Sequence, residues 1–241
     1  MKILIIRHGD PDYAIDGLTE KGKREAELLA DRMEKEDIKA VYCSVFGRAK
    51  LTAKPFLDRK GLKAEYCEWL REYEYATIHD PEGNGERYAW DLMPEYVNSL
   101  KNIFDRDGWR EECFINDSKM PIEYDNVCRE FDKVLLKHGY RRDGYNYLAE
   151  KPNHDTIVFV CHYGLTAVLL SHVMNCSPYS IWQHAFTAPT AVTTIYTEER
   201  QKGVVQLRVN AMGDVSHLYV SNEQPSFSGR FCECHDDDTR H

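Results

Sequence analysis

The sequence predicts an α/β fold, a three-layer α/β/α sandwich on a mostly parallel central sheet with an inserted lid region. Three observations carry this. Residues 3–7 (Ile-Leu-Ile-Ile-Arg) and 157–161 (Ile-Val-Phe-Val-Cys) are near-continuous apolar runs, the pattern of central parallel strands whose two faces are both covered by helices. Strand-like and helix-like patterns alternate over the first 72 residues, which implies right-handed crossovers within one sheet. Both apolar runs deliver a histidine, His8 and His162, to the carboxyl end of a strand, where open α/β sheets bind ligands.

The first strand, 3–7, is followed by a polar loop and by Leu18-Thr-Glu-Lys-Gly22. Thr19 is placed to cap a helix whose Ala26, Leu29, Ala30 and Met33 fall at helical spacing. Residues 38–42 read as a second strand, and Ser44-Val-Phe-Gly-Arg48 turns into a helix carrying Ala49, Leu51, Thr52 and Ala53. Pro55 is expected to kink that helix or end it early. A third strand around 63–66 leads into Trp69-Leu-Arg-Glu72.

From about 76 to 124 the pattern breaks. Pro81, Gly83, Gly85, Pro94, Gly108 and Pro121 punctuate it, and only short helical patches such as 95–104 remain. We read 76–124 as an inserted cap over the sheet edge, forming a lid or a substrate wall. Its aromatic residues Tyr88, Trp90, Trp109 and Tyr124 suit either a pocket or a small core. The αβ pattern resumes with a helix over 126–137, whose Val127, Phe131, Val134 and Leu135 share a face. Then come the strand into His162, a helix over 165–174 and β-like runs at 192–196 and 204–209. Residues 1–221 thus form one domain, and the polar, aperiodic stretch 222–241 is expected to be a disordered tail.

Composition narrows the class of protein. A net charge of −9 argues against a nucleic-acid partner, because phosphate backbones are bound through basic stripes that are missing here. An anionic substrate must therefore be held by a local cationic pocket. The opening Met-Lys-Ile-Leu-Ile-Ile is too short for a signal peptide and no stretch approaches a membrane span, so the expected location is cytoplasmic. The eight cysteines lack the dense, regular spacing of a secreted scaffold and read as reduced thiols. Cys43 and Cys161 serve as small core residues within strands. Cys232, Cys234, His235 and His241 have ligand chemistry but no turn to frame a tetrahedral site, so no metal is assigned. An open edge in the last strands would allow pairing across a homodimer.

Arg7, His8, Arg48, Glu72 and His162 lie near strand ends. Two guanidinium forks match the oxygens of a phosphoryl group and stay charged at any working pH. An imidazole can donate to those oxygens or attack phosphorus. A carboxyl beside bound phosphate has a raised pKa and can protonate a leaving group. Taken singly, each has a plainer reading: a buried core histidine, a surface arginine, a solvated glutamate. Arg48 at a helix start favours an anion nearby, because a cation is unfavourable there without one. Glu68 and Glu74 compete with Glu72.

The ordered strings Leu4-Ile-Ile-Arg-His-Gly-Asp10, Leu18-Thr-Glu-Lys-Gly22, Cys43-Ser-Val-Phe-Gly-Arg-Ala-Lys-Leu-Thr-Ala53, Leu70-Arg-Glu72 and Val160-Cys-His-Tyr-Gly164 resemble the successive motifs of the histidine phosphatase superfamily. That group includes the cofactor-dependent phosphoglycerate mutases. The resemblance implies a metal-independent, cofactor-free phosphatase acting on a small phosphorylated substrate. His8 would be the nucleophile that becomes a phosphohistidine, held in its reactive tautomer by a backbone carbonyl near Gly9. Arg7, Arg48 and His162 would hold the phosphoryl oxygens, and Glu72, which follows Leu70-Arg71 as the family acid does, would protonate the leaving group, with Glu74 as its substitute.

Two positions depart from the pattern. Ala14 stands where the mutases carry a phosphate-holding Asn, and Tyr163 replaces the second glycine of His-Gly-Gly. Ala14 and the acidic loop after Gly9 favour hydrolysis over mutase transfer. A phosphoglycerate mutase-like transfer and a non-catalytic phosphate-recognition module are the competing readings.

Overall fold

A computed structural model describes residues 1–75, 77–80, 83, 85–116 and 118–236; Pro81 and His241, singled out above, lie outside these. Eight strands form one sheet: β1 (Lys2–Arg7), β2 (Ile38–Ser44), β3 (Ala64–Cys67), β4 (Tyr140–Asp143), β5 (Asn146–Ala149), β6 (Thr156–Cys161), β7 (Val192–Gln201) and β8 (Val204–Asp214). Their spatial order is β3-β2-β6-β1-β7-β8-β5-β4. The first four in that order are parallel neighbours, and each later pairing is antiparallel. Carrying these signs across the sheet leaves only β7 and β5 running against the other six, so the expected mostly parallel sheet is found.

Alternation along β1 explains the layers. Ile3 and Ile5 face one apolar cluster, shared with α3 (Met120–Lys137) and α4 (Tyr163–Met174). Leu4 and Ile6 face the other, shared with α1 (Glu20–Met33) and α2 (Gly47–Lys60). Because successive strand side chains point to opposite faces, a strand apolar at every position must be covered twice, and each large side chain so buried contributes about 1.5–3 kcal/mol. The α4 helix is apolar nearly all round and buried on most sides, as a helix between a sheet and further helices must be.

Local signals act as expected at α1, where the Thr19 hydroxyl accepts from the Gly22 N–H at 3.0 Å. Its buried face, Gly22, Ala26, Leu29, Ala30 and Met33, also contains Glu25. Three expectations need correction. Pro55 does not end α2, which runs on to Lys60 and stops at Gly61; the carbonyl deprived of a donor is that of Leu51, an exposed residue, so the loss falls at the surface. A hairpin of β4 and β5 was not anticipated; it pairs with Val204 and Val205 of β8. The two end strands of the sheet are therefore β3 and β4, and the outer side of β8 is paired only at Val204 and Val205.

The third correction concerns the tail. Residues 222–230 run back over α1: Lys21 Nζ bonds Glu223 at 2.7 Å and the Gln224 carbonyl at 2.6 Å, and Ser226 is buried. This strap is aperiodic because it is held by individual polar contacts instead of a repeating apolar face.

The 77–116 region joins the α3/α4 cluster through Ile78, Leu92, Val97, Ile103, Trp109 and Ile115. Trp109 is fully buried and meets Tyr124 edge-on at 5.2 Å.

Candidate active site

Strand β1 ends at Arg7 and passes His8 into the loop above the sheet. The His8 N–H donates to the Cys161 carbonyl at 2.9 Å. The Thr190 N–H reaches the carbonyls of Arg7 and His8 at 3.1 and 3.2 Å. Thr190 adopts φ +57°, an uncommon left-handed conformation for a branched residue. The buried His217 of α5 (Ser216–Tyr219) supports it, with Nε2 3.1 Å from the Thr190 hydroxyl.

His8 Nδ1 lies 2.7 Å from the Gly9 carbonyl. A carbonyl only accepts, so Nδ1 carries the proton and Nε2 keeps its lone pair. Burial, then the neighbouring Arg7, holds the His8 pKa down to about 3. The ring is thus neutral at working pH.

His162 stands opposite, its ring centroid 5.0 Å from that of His8. Its Nε2 hydrogen-bonds the Ser44 hydroxyl at 2.8 Å, while the buried Nδ1 has no partner. Burial and then His8, Arg48 and Arg7 push its pKa well below the ordinary value.

Arg48 sits in the first turn of α2, where the Asp16 carboxylate supplies the anion that a cation there requires. Asp16 accepts from Arg48 Nη1 at 2.7 Å and from the Gly47 N–H at 2.5 Å. Arg7 donates through Nη1 to the Thr187 carbonyl at 2.7 Å. Arg7 Nε, Arg48 Nε, His162 Nδ1 and the Thr187 hydroxyl are buried without partners. Buried polar groups are normally satisfied, and this set is suited to a compact oxyanion with several acceptor oxygens.

Glu72 is half-buried at the cavity floor. Its Oε1 accepts from the Tyr73 and Leu165 N–H groups at 2.8 and 3.0 Å, and Oε2 from Gly164 N–H at 3.4 Å. The Gly164 and Leu165 donors are at the amino end of α4, which favours the anion. Burial outweighs them and raises the pKa. The close approach needs a glycine, since a Cβ at position 164 would stand 2.9 Å from Glu72 Oε1 and 2.5 Å from the Trp90 ring. Glu68 instead pairs with Arg71 at the exposed surface.

A cavity of about 510 Å³ opens above Arg7 and Glu72. Tyr13, Tyr88, Trp90, Tyr163 and Phe186 wall it, and Gly229, Arg230 and Phe231 of the strap close one side. Tyr88 and Trp90 therefore belong to the pocket, whereas Trp109 and Tyr124 belong to the core. A larger groove of about 710 Å³ beside α1 and α2 is lined by Leu18, Leu51, Pro55 and surface charges and meets none of Arg7, His8, Arg48, Glu72 and His162.

The structure brings the five expected residues near one another: His8 beside His162, Arg7 and Arg48, and Glu72 beside Arg7. Ser44, Asp16, Thr187, Thr190, Glu25 and the strap were not anticipated. Ser44 lies within a motif string and was the one most open to detection. Glu25 was hidden as a polar residue on the apolar face of α1, and the others come from loops or distant segments with no periodic signal. Among the described residues no cluster of three or more His, Cys, Asp or Glu could hold a metal ion.

Residues 3–102 match the family model of the histidine phosphatase superfamily, branch 1. A Schizosaccharomyces pombe protein named as a probable phosphatase is 25% identical over 233 residues, covering 90% of this chain and 95% of its own. Phosphoserine phosphatase 1 of Hydrogenobacter thermophilus is 20% identical over 233 residues, covering 91% and 97%. Among solved structures, a mutant phosphoserine phosphatase from Entamoeba histolytica in complex with phosphoserine superposes with a TM-score of 0.59 at 18% identity, covering 90% of this chain and 98% of that one. A mycobacterial glucosyl-3-phosphoglycerate phosphatase superposes with a TM-score of 0.55, also at 18% identity, covering 88% and 98%.

Proposed function

We propose that the chain is a histidine phosphatase that hydrolyses a small phosphomonoester through a phosphohistidine on His8; the family match over residues 3–102 and the 25% identity to a probable phosphatase support this reading. The observation that carries this reading is the His8 ring itself: neutral, with Nδ1–H tied to the Gly9 carbonyl and Nε2 left as the nucleophile.

In the first step Nε2 attacks phosphorus and the bond to the leaving oxygen breaks. Arg7, Arg48 and His162 hold the equatorial oxygens, where fixed donors in a dry site lower the barrier most. Glu72, whose pKa burial raises, gives a proton to the departing oxygen. In the second step the Glu72 carboxylate takes a proton from water, the water oxygen attacks phosphorus, the P–N bond breaks and inorganic phosphate leaves. Two guanidiniums offset the charge, so no step calls on a metal.

Arg230 is the only cation besides Arg7 among the cavity-lining residues, and it is paired with Glu233 at 3.0 Å. A mutase must hold a second strongly anionic group, which this cavity serves poorly. The aromatic walls suit an organic leaving group of modest size; the phosphoserine and glucosyl-3-phosphoglycerate phosphatases that share the fold act on substrates of that scale. Eight unpaired cysteines support a reducing, cytoplasmic setting; among the described residues no helix is long and apolar enough to cross a membrane. Beyond Val205 no described strand pairs with the outer side of β8, the edge at which a second copy would add.

The test is to incubate the protein with an aryl phosphate in EDTA and trap acid-labile phosphoenzyme. Wild type should form it and turn over, while His8→Ala should do neither. Undiminished turnover by His8→Ala would sink the reading.

A further inference from the structure

The buried carboxylate of Glu25 lies on the apolar face of α1, fully shielded from solvent. No cation bonds it. Its Oε2 accepts from the Asp10 N–H at 2.9 Å, and its Oε1 accepts from the Ser226 N–H at 3.0 Å.

The Asp10 N–H and the Gly9 carbonyl are two ends of one planar peptide group. The oxygen end accepts the His8 Nδ1 proton at 2.7 Å. One line of hydrogen bonds therefore runs from the Glu25 carboxylate through the 9–10 peptide to the imidazole. A carboxylate on the N–H end polarises the peptide and strengthens the oxygen end as an acceptor, as linked hydrogen bonds do in a low-dielectric interior.

The surroundings hold this peptide in place. The Gly9 N–H donates to the Thr52 hydroxyl at 2.9 Å, and the Thr19 hydroxyl donates to Asp10 Oδ2 at 2.6 Å. The Ser226 hydroxyl binds Asp10 Oδ1. Gly22, one helical turn before Glu25, lets the loop press onto α1: a Cβ there would stand 2.2 Å from the Asp10 carbonyl oxygen.

We propose that Glu25 is a positioning residue for the phosphoryl-transfer reaction, holding the His8 imidazole in its attacking tautomer through the peptide between Gly9 and Asp10 and fastening the C-terminal strap with its other oxygen. The inference rests on the phosphohistidine reading above. Glu25 touches no substrate. Its role resembles that of outer-shell partners that orient ligating histidines, whose loss costs about ten- to a hundredfold.

The test uses the full chain, rapid-quench measurement of phosphoenzyme formation from phenyl phosphate, and the inhibition constant for vanadate. Glu25→Gln keeps the shape but puts an NH2 against one of the two N–H donors. Phosphoenzyme formation should slow about ten- to a hundredfold, with vanadate inhibition changed less than about threefold, because the clamps remain. Ser226→Pro removes the strap donor and the Ser226 hydroxyl but leaves the Asp10 N–H on Glu25 Oε2, so it should loosen the strap to proteolysis while slowing phosphoenzyme formation less than Glu25→Gln does. If Glu25→Gln fails to fold, Glu25→Asp, which retracts the carboxylate, is read in the same way. Wild-type rates in a folded Glu25 variant overturn the proposal, as does equal slowing in Ser226→Pro, which would move the effect to the strap. Absence of phosphoenzyme in the wild type would instead overturn the functional reading.

Discussion

Replacing Glu72 by Gln separates its chemistry from its packing. The carboxylate receives three N–H donors, at 2.8, 3.0 and 3.4 Å. A glutamine oxygen can keep the two shorter bonds, while the amide NH2 then faces the Gly164 N–H at the longest contact. Leaving that donor unpaired costs about 1–3 kcal/mol, and relief of the buried charge offsets part of it. The fold should therefore survive. Loss of the general acid costs about 10²–10⁴ in rate, or about 2.7–5.4 kcal/mol at 1.36 kcal/mol per tenfold. That loss depends on how much the leaving oxygen needs a proton. For glycerol 2-phosphate, kcat/KM should fall by about two to four orders of magnitude; for p-nitrophenyl phosphate, whose leaving group departs as a stable anion, by under about tenfold. Equal losses on both substrates would refute the reasoning and make Glu72 a structural residue only.

Further outcomes follow from the same geometry. Burial pushes the Glu25 pKa from its ordinary 4.5 up to about 7. Its contribution to stability is thus full below pH 4.5 and lost as pH rises through 7, by about 3 kcal/mol. Wild type should lose stability relative to Glu25→Gln across that window in urea titrations, and a pH-independent difference would contradict it. Gly164→Ala places a methyl against the Trp90 ring and should cost about 1–3 kcal/mol and lower kcat; wild-type melting and kcat would show that the contact yields. Trp109→Ala should cost about 3–5 kcal/mol, and a loss under about 1 kcal/mol would show that the inserted region contributes little to the core.

How much was readable beforehand depended on whether a residue belonged to a repeating pattern. Alternation and helical spacing identified β1, β6, α1 and the layers because burial on both faces writes itself into every position. The five site residues were readable because they follow those strands at the chain's own turns. The β4–β5 hairpin was missed, as its Tyr140 and Tyr147 are buried while Arg141 and Asp143 are not, too short an alternation to stand out. Pro55 misled because its penalty falls on a single carbonyl near water. The strap and Glu25 were illegible for another reason: their value lies in pairwise bonds across 201 positions, from Glu25 to Ser226, which no local window contains.

The placement of β1 bears on how the molecule comes into being. Lys2 pairs with Thr156 on one side and with Tyr196 on the other. β1 thus leaves the ribosome about 150 residues ahead of its partner β6 and waits, both edges bare, until that partner is made. Such non-local pairing folds slowly and exposes an aggregation-prone edge meanwhile. His8 and His162, at the ends of these two strands, therefore meet late in biogenesis, and nascent chains stalled before residue 156 are expected to depend on chaperones.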